Sequence, residues 1–366
     1  MSYKWAIVGG GNGGLSMAGH LGTLGKYVKL YDISEDTVKA INEKGGIDVK
    51  GAVNGFGKIE LASTNIKEAI KDVDIIVIVL PSLYHESIAR KCAPYLEDGQ
   101  VVVLHPSSSF AAIEFKNILE QEGCNKGVTV GETCTLLYAC RLEKPGIAEI
   151  YGIKNMVTVA ALPATENEKV INMLNTAFPQ FKPAKNVLQT SLENLNAIMH
   201  PTPTILNTSK IENQEPFLYY LDGITPSIGE YLEKMDNERI NIGKALGLEL
   251  PHINELYREM YDAKGENLYE LVKSVEAYKG VKGQKTLRTR YLLEDIPNSL
   301  QPIASLGKKL GVKVDRMESI INMCKLMLEG EFVEGRTVES LGIEDLSKEE
   351  LVNYVNTGFK DLQHNV

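Results

Sequence analysis

The stretch Trp5-Ala-Ile-Val-Gly-Gly-Gly-Asn-Gly-Gly-Leu-Ser-Met-Ala18 decides the fold. A short apolar run of the kind a buried strand uses meets five glycines in six residues, and an apolar helical pattern follows. Gly9, Gly11 and Gly14 satisfy G-x-G-x-x-G, with Asn12 and Gly13 between them. Each glycine is there for a physical reason. Gly9 allows a tight turn, Gly11 lets a phosphate approach the backbone, and Gly14 lets helix and strand pack closely. The helix start then offers free N–H groups and the positive end of its dipole to an anion. The next strand, Tyr27 to Tyr31, closes on Asp32, 18 residues after Gly14. A carboxylate there accepts from ribose hydroxyls and repels a 2′-phosphate, and Ile33 and Ser34 add no cation. The pattern therefore predicts a dinucleotide site that favours NAD, without excluding NADP. An Asp that merely caps the following helix is the plainer reading of the same residue.

Outward from this turn, strands and helices alternate. Asp74-Ile-Ile-Val-Ile-Val-Leu80 is a continuous apolar run, as in a parallel strand covered on both faces. Its end, Leu80-Pro81-Ser82, is expected to face the cofactor, because ligands bind outside the carboxyl ends of such strands. Gln100 to Leu104 is another buried strand, and Asn54-Gly55 joins two β-type runs as a hairpin. After Val187 the β-runs stop and helical patterns take over, at about 190–211, 226–246, 251–262, 267–277, 298–310, 315–328 and 347–357, the last opened by a Ser347/Glu350 capping box. The reading is an α/β doubly wound domain over residues 1–187 followed by an all-helical domain over 188–366. A length of 366 residues suits two domains.

Composition narrows the function classes. The net charge is −9, which disfavours nucleic acid or an anionic membrane as the main partner, while a local cluster of cations still suffices for a small anion. Five cysteines without a C-x-x-C pair point to reduced thiols in a cytoplasmic protein. No secretory leader and no membrane span are expected. There is no G-x-x-x-x-G-K-[ST] and no H-E-x-x-H, and the six histidines lack ligand spacing, so no metal site is expected.

A second group of residues carries the chemistry that a nucleotide domain lacks. In Asn196-Ala-Ile-Met-His200-Pro201-Thr-Pro203, two prolines end or bend a helix at His200 and leave the carbonyls of Ala197 and Met199 without helical donors. A histidine at a helix end has its charged form favoured, which suits a general acid; it equally suits a structural cap. Downstream, Lys282-Gly-Gln-Lys-Thr-Leu-Arg288-Thr-Arg290 is a basic run in an acidic chain, read as a carboxylate grip or as a solvated loop. Asp295 is either the orienting partner of His200 or a helix cap before Pro297. Gly131-Glu-Thr133-Cys134 either lines the site or is ordinary strand and turn.

These stretches together resemble the opine dehydrogenase family (octopine, nopaline and related dehydrogenases). The resemblance spans essentially the whole chain. It rests on Val-Gly-Gly-Gly-Asn12-Gly-Gly14-Leu-Ser-Met-Ala18, Leu80-Pro-Ser-Leu-Tyr-His85-Glu, Gly131-Glu-Thr133, Asn196-Ala-Ile-Met-His200-Pro201, and Arg290 with Asp295-Ile-Pro297. It implies a Rossmann domain followed by a helical domain like that of 6-phosphogluconate dehydrogenase. It implies NAD(P)H-dependent reductive condensation of an α-keto acid with the amino group of an amino acid, these two small molecules being the expected partners, with a homodimer compatible. It also implies His200 as the acid/base, Asp295 as its partner, Arg290 (with Arg288 as competitor) on a substrate carboxylate, Thr133 on the amino acid, and Leu80, Pro81 and His85 at the cofactor. One departure stands out: His105-Pro-Ser107-Ser-Ser109 replaces a glycine-containing turn and makes His105 a second acid/base candidate. A β-hydroxyacid, ketopantoate or glycerol-3-phosphate type of dehydrogenase is the alternative, against which Thr190 to Met199 contains no lysine. A non-catalytic nucleotide sensor is a further one, and it has no need of the His200, Arg290 and Asp295 set.

Overall fold

The computed structural model describes residues 3–359. Its strands and helices run β1 (Lys4–Val8), α1 (Asn12–Thr23), β2 (Tyr27–Tyr31), α2 (Glu35–Lys44), β3 (Gly46–Gly51), β4 (Gly55–Lys58), β5 (Leu61–Ser63), α3 (Ile66–Ile70), β6 (Ile75–Ile78), α4 (His85–Cys92), β7 (Val101–Leu104), α5 (Ala111–Gln121), β8 (Thr129–Thr133), β9 (Tyr138–Lys144), β10 (Ile147–Ile153), β11 (Val157–Leu162), α6 (Asn167–Leu174) and β12 (Phe181–Pro183). Eight strands form one sheet in the order β12-β11-β8-β7-β6-β1-β2-β5. It is parallel from β5 to β8, and β11 joins β8 antiparallel. Between β1 and β6 the chain reverses the direction in which it lays down strands. This switch point is where an open α/β sheet leaves a crevice at its carboxyl edge. The apolar runs of β1, β6 and β7 are fully buried, as expected for strands with helices on both faces.

A second, four-stranded sheet was not foreseen: β4-β3-β10-β9. The Asn54-Gly55 hairpin forms as read, but it pairs with a second hairpin whose strands are joined at Pro145-Gly146, with Gly146 at φ +76°. Pro followed by a positive-φ Gly between two alternating runs is the signal that could have found it. This sheet lies on α1 because α1 offers no side chain there. A Cβ on Gly19 would come within 2.5 Å of Val49, and one on Gly22 within 2.6 Å of the Gly57 backbone.

The chain divides into two units. Residues up to 107, with 111–187 and 355–358, form the α/β unit; 188–354, with the short segment 108–110, form the other. Among the described residues of the second unit there is no strand beyond a single bridge between Leu218 and Lys282. Its helices are α7 (Val187–Leu192, which begins at the boundary), α8 (Asn196–Met199), α9 (Pro201–Leu206), α10 (Thr208–Glu212), α11 (Pro226–Ala245), α12 (Ile253–Tyr261), α13 (Leu268–Ser274), α14 (Arg290–Leu293), α15 (Gln301–Lys309), α16 (Asp315–Met327) and α17 (Lys348–Thr357). The pattern at 190–211 is thus not one helix but four short pieces. Pro201 and Pro203 cannot donate, and Asn194 turns its side chain back onto the N–H of Asn196 at 3.2 Å. The capping box at α17 forms as read, with Ser347 N–H donating to Glu350 at 2.7 Å and Glu350 N–H to Ser347 Oγ at 3.2 Å.

The centre of the helical unit holds a buried ion pair. Arg239 on α11 is wholly buried and donates to Asp236 Oδ1 at 2.7 Å, to the Leu192 carbonyl at 3.3 Å and to the Pro251 carbonyl at 2.6 Å. Asp236 Oδ2 accepts the Ile253 N–H at 3.0 Å at the start of α12. Breaking a satisfied buried pair leaves one charge stranded. Arg239→Ala should therefore lower the urea midpoint by the equivalent of about 3–5 kcal/mol, and Arg239→Met with Asp236→Leu should recover much of that loss. Equal midpoints for the single variant and the parent would refute this.

Candidate active site

In the α/β unit, the glycine turn makes a cradle. Gly9 sits at φ +114°, and a Cβ there would stand 2.5 Å from the Val79 carbonyl oxygen and 2.7 Å from Leu80. A Cβ on Gly14 would stand 1.8 Å from the Gly9 oxygen, so helix and strand are in backbone contact. A Cβ on Gly11, by contrast, would enter open space. Gly11 is the N-cap of α1 and no side chain caps the helix there. The first-turn N–H groups therefore face a space that suits a pyrophosphate. The Asn12 side-chain oxygen accepts from Leu142 N–H of β9 at 2.9 Å. Gly13 packs towards Val79.

Asp32 is held by two backbone donors, Gly10 N–H at 2.5 Å and Ser34 N–H at 2.8 Å. A carboxylate has about four acceptor positions, so capacity for ribose hydroxyls remains. Asp32 therefore does not cap α2, whose N-cap is Ser34, with its hydroxyl accepting from the Thr37 N–H at 3.2 Å; it braces the turn before it. Gly10, to which the sequence pattern alone assigns no role, is required here, since its Cβ would stand 2.8 Å from the Asp32 carboxyl. Leu80 is half-buried and Pro81 exposed at the end of the β6 run. His85 is not at a surface. It is wholly buried, its Nε2 3.3 Å from the Leu80 carbonyl.

Two other residues singled out in the sequence are buried and face each other. Thr133 is wholly buried, and its hydroxyl lies 2.8 Å from His105 Nδ1. The Leu137 N–H donates to His105 Nε2 at 3.1 Å, so that nitrogen carries no proton and Nδ1 does. Burial, with the charge of Lys154 adding to it, pushes His105 down to about 3. It is a neutral structural histidine and not a second acid/base group. The signal for this was its position directly after four buried strand residues.

In the helical unit, His200 and Asp295 come together although 95 residues separate them. His200 Nδ1 is 2.7 Å from Asp295 Oδ2, and both side chains are more than nine-tenths buried. Asp295 makes no helix-cap hydrogen bond and gives its carboxylate to the ring. The His200 backbone sits between α8 and α9, where the prolines interrupt the helix. His200 Nε2 is 3.1 Å from Tyr220 Oη, and the Tyr291 ring stacks on the imidazole at 4.0 Å and 8°. Neither tyrosine was singled out in the sequence, because their spacing from residue 200 carries no local periodicity. Arg290, one residue before Tyr291, has a side chain about half exposed and lies 3.4 Å from Glu294. Burial opposes its charge, but the carboxylates of Asp295 and Glu294 outweigh that and hold the guanidinium more firmly protonated. Arg288 is already engaged: Nε and Nη2 grip Glu331 at 2.8 and 2.6 Å on the surface. Of the two arginines, Arg290 is the one beside the His200–Asp295 pair.

Comparisons with known proteins bear on the family and the fold. Residues 183–328 match the family described as NAD/NADP octopine/nopaline dehydrogenase, alpha-helical domain, and residues 4–129 match NAD-dependent glycerol-3-phosphate dehydrogenase N-terminus. The chain is 38% identical over 348 residues to an opine dehydrogenase of Arthrobacter sp. (strain 1C), covering 94% of this chain and 97% of that protein. It is 26% identical to vitopine synthase of Allorhizobium ampelinum over 96% of this chain and 99% of that one. A solved octopine dehydrogenase, with NADH and L-arginine, superposes at a TM-score of 0.80 with 21% identity, covering 99% of this chain and 100% of that chain. That likeness speaks for the fold.

The cradle makes a testable distinction between two glycines. Gly11→Ala should melt within a few degrees of the parent, because its methyl meets nothing, yet bind NADH at least tenfold more weakly in a fluorescence titration. Gly14→Ala should be destabilised by about 1–3 kcal/mol or more, because its methyl overlaps the Gly9 carbonyl. Undiminished NADH affinity in Gly11→Ala would contradict the assignment.

Proposed function

Because this chain belongs to the opine dehydrogenase family, whose members are NAD(P)-dependent and reductively condense an α-keto acid with the amino group of an amino acid, we propose that His200 is its acid/base group, Asp295 the partner that orients it, and Arg290 the grip on a substrate carboxylate. The observation that carries the reading is the buried His200–Asp295 pair at 2.7 Å, built on a helix broken by two prolines. The cofactor is NAD, held by the Gly9–Gly14 turn at its pyrophosphate and by Asp32 at its ribose, with Leu80 and Pro81 beside it. When bound, its nicotinamide supplies a hydride to the imine carbon.

The remaining steps belong to side chains of the helical unit. Condensation removes the keto-acid oxygen as water, so that oxygen must gain protons. The imidazolium donates from Nε2, and Asp295 on Nδ1 stabilises the charge and fixes the ring orientation, as the acid of a catalytic triad does. In the reverse direction the neutral ring accepts the proton. Arg290 supplies a planar cation for a carboxylate, with five donors in a fixed fork. Holding the reactants in line contributes a large part of the acceleration in such reactions. Five free cysteines among the described residues support a reducing, cytoplasmic setting, and no described helix is long and apolar enough to cross a membrane.

His200→Ala should lower kcat by about 10²–10⁴ while leaving NADH binding near that of the parent. Arg290→Lys should chiefly raise KM for one carboxylate substrate, because it loses the bidentate fork. The readout is NADH oxidation across a panel of keto acids and amino acids. Undiminished turnover in His200→Ala would remove the acid/base assignment, and turnover of a keto acid without any amine would move the reading to a hydroxyacid dehydrogenase.

A further inference from the structure

Both ring nitrogens of His200 are occupied within the helical unit. A carboxylate only accepts, so Nδ1, facing Asp295, carries a proton. The lone pair on Nε2 of the neutral ring then takes the Tyr220 hydroxyl as its donor at 3.1 Å. When Nε2 is protonated the same hydroxyl turns acceptor. Tyr220 is not free to wander: its ring lies face to face with Tyr278 at 3.8 Å and edge-on to Tyr219 at 5.0 Å. The adjacent Tyr219 secures the backbone of the same residue. Its hydroxyl is 2.6 Å from the His200 carbonyl and 3.2 Å from that of Met199, the oxygen that Pro203 leaves without its helical donor. Two consecutive tyrosines thus hold residue 200 at its carbonyl and at its reactive nitrogen.

We propose that Tyr220 is a positioning residue for His200, holding Nε2 on line until a substrate oxygen displaces its hydroxyl, while Tyr219 splints the broken helix beneath. This rests on the reading of His200 as the acid/base group. The groups that face the ring are Asp295, Tyr220 and the stacked Tyr291, whose hydroxyl also hydrogen-bonds that of Tyr220, with Arg290 and Glu294 acting through Asp295 and Tyr219 through the backbone. Burial holds the Tyr219 and Tyr220 hydroxyls well above the usual phenol range, so Tyr220 remains a neutral O–H partner throughout the working pH range.

Tyr220→Phe keeps the stack and deletes one oxygen. The charged ring loses a charge-assisted hydrogen bond and the neutral ring an ordinary one, so the charged form is weakened more. Because substrate displaces the hydroxyl, the effect is read in kcat/KM for the keto acid, which reports the enzyme before that substrate binds: its alkaline limb in the NADH-oxidising reaction, which needs the charged ring, should move to lower pH by about one unit. The acid limb of kcat/KM in the reverse reaction, which needs the neutral ring, should move the same way by the same amount. NMR of the His200 ring, identified by its loss in His200→Gln, should show the same displacement. Coincident limbs and ring titration in parent and variant would overturn the proposal. If Tyr220→Phe does not fold, 3-fluorotyrosine at position 220 serves instead. It is a stronger donor and weaker acceptor, so it should move both limbs to lower pH, and no movement overturns the proposal equally. The two readings fail separately: full turnover in His200→Ala sinks the acid/base role, whereas an inactive His200→Ala with unmoved limbs in Tyr220→Phe sinks only the role of Tyr220.

Discussion

The α/β unit depends on a helix that can be approached to backbone distance from two sides. Four of the twelve residues of α1 are glycine, at 13, 14, 19 and 22. In a helix interior each glycine costs roughly 1 kcal/mol relative to alanine, so the pattern is expensive as local structure. Tertiary contact offsets it. Gly14 lets the helix start lie against the end of β1, which creates the phosphate cradle, while Gly19 and Gly22 admit the β3–β4 hairpin. A helix chosen for its own stability would fill those gaps with methyl groups and lose the cradle on one side and the small sheet on the other.

The helical unit uses the opposite device, a helix that is prevented from continuing. Pro201 and Pro203 remove two donors in succession, and the unit satisfies the freed carbonyl of Met199 with a tyrosine hydroxyl. His200 sits at this interruption, where its ring meets Asp295. The buried Arg239–Asp236 pair plays a comparable part for α11, tying that helix to the end of α7 and the start of α12. In each case the enclosed polar group is matched by named donors or acceptors from other parts of the unit.

Burial sorted residues of one chemical type into different roles. His105 and His200 both follow buried runs and both contact a hydroxyl. His105 faces a backbone N–H on one nitrogen and a threonine on the other, and burial keeps it neutral. His200 faces a carboxylate, which can compensate a proton. The arginines divide in the same way: Arg288 is used up by Glu331 on the surface, whereas Arg290 stays half exposed beside Asp295 and Glu294.

By itself the sequence determined the features that are local. The strand–glycine–helix turn, Asp32, the buried strands, the Asn54-Gly55 hairpin, the Ser347 cap and the proline break at His200 are all written within a few residues of one another, where sterics and hydrogen-bond capacity act directly. The pairing of His200 with Asp295 was legible only as a possibility, because nothing in the spacing of residues 200 and 295 brings them together. Only the tertiary structure decided the second sheet, the placing of Gly10 against Asp32 and of Tyr219, Tyr220 and Tyr291 around His200, the burial of Thr133, His85 and His105, and the pairing of Arg288 with Glu331. The physical reason is common to all of these: what a side chain can do depends on which atoms face it after folding and how far they exclude water, and those atoms come from distant parts of the chain.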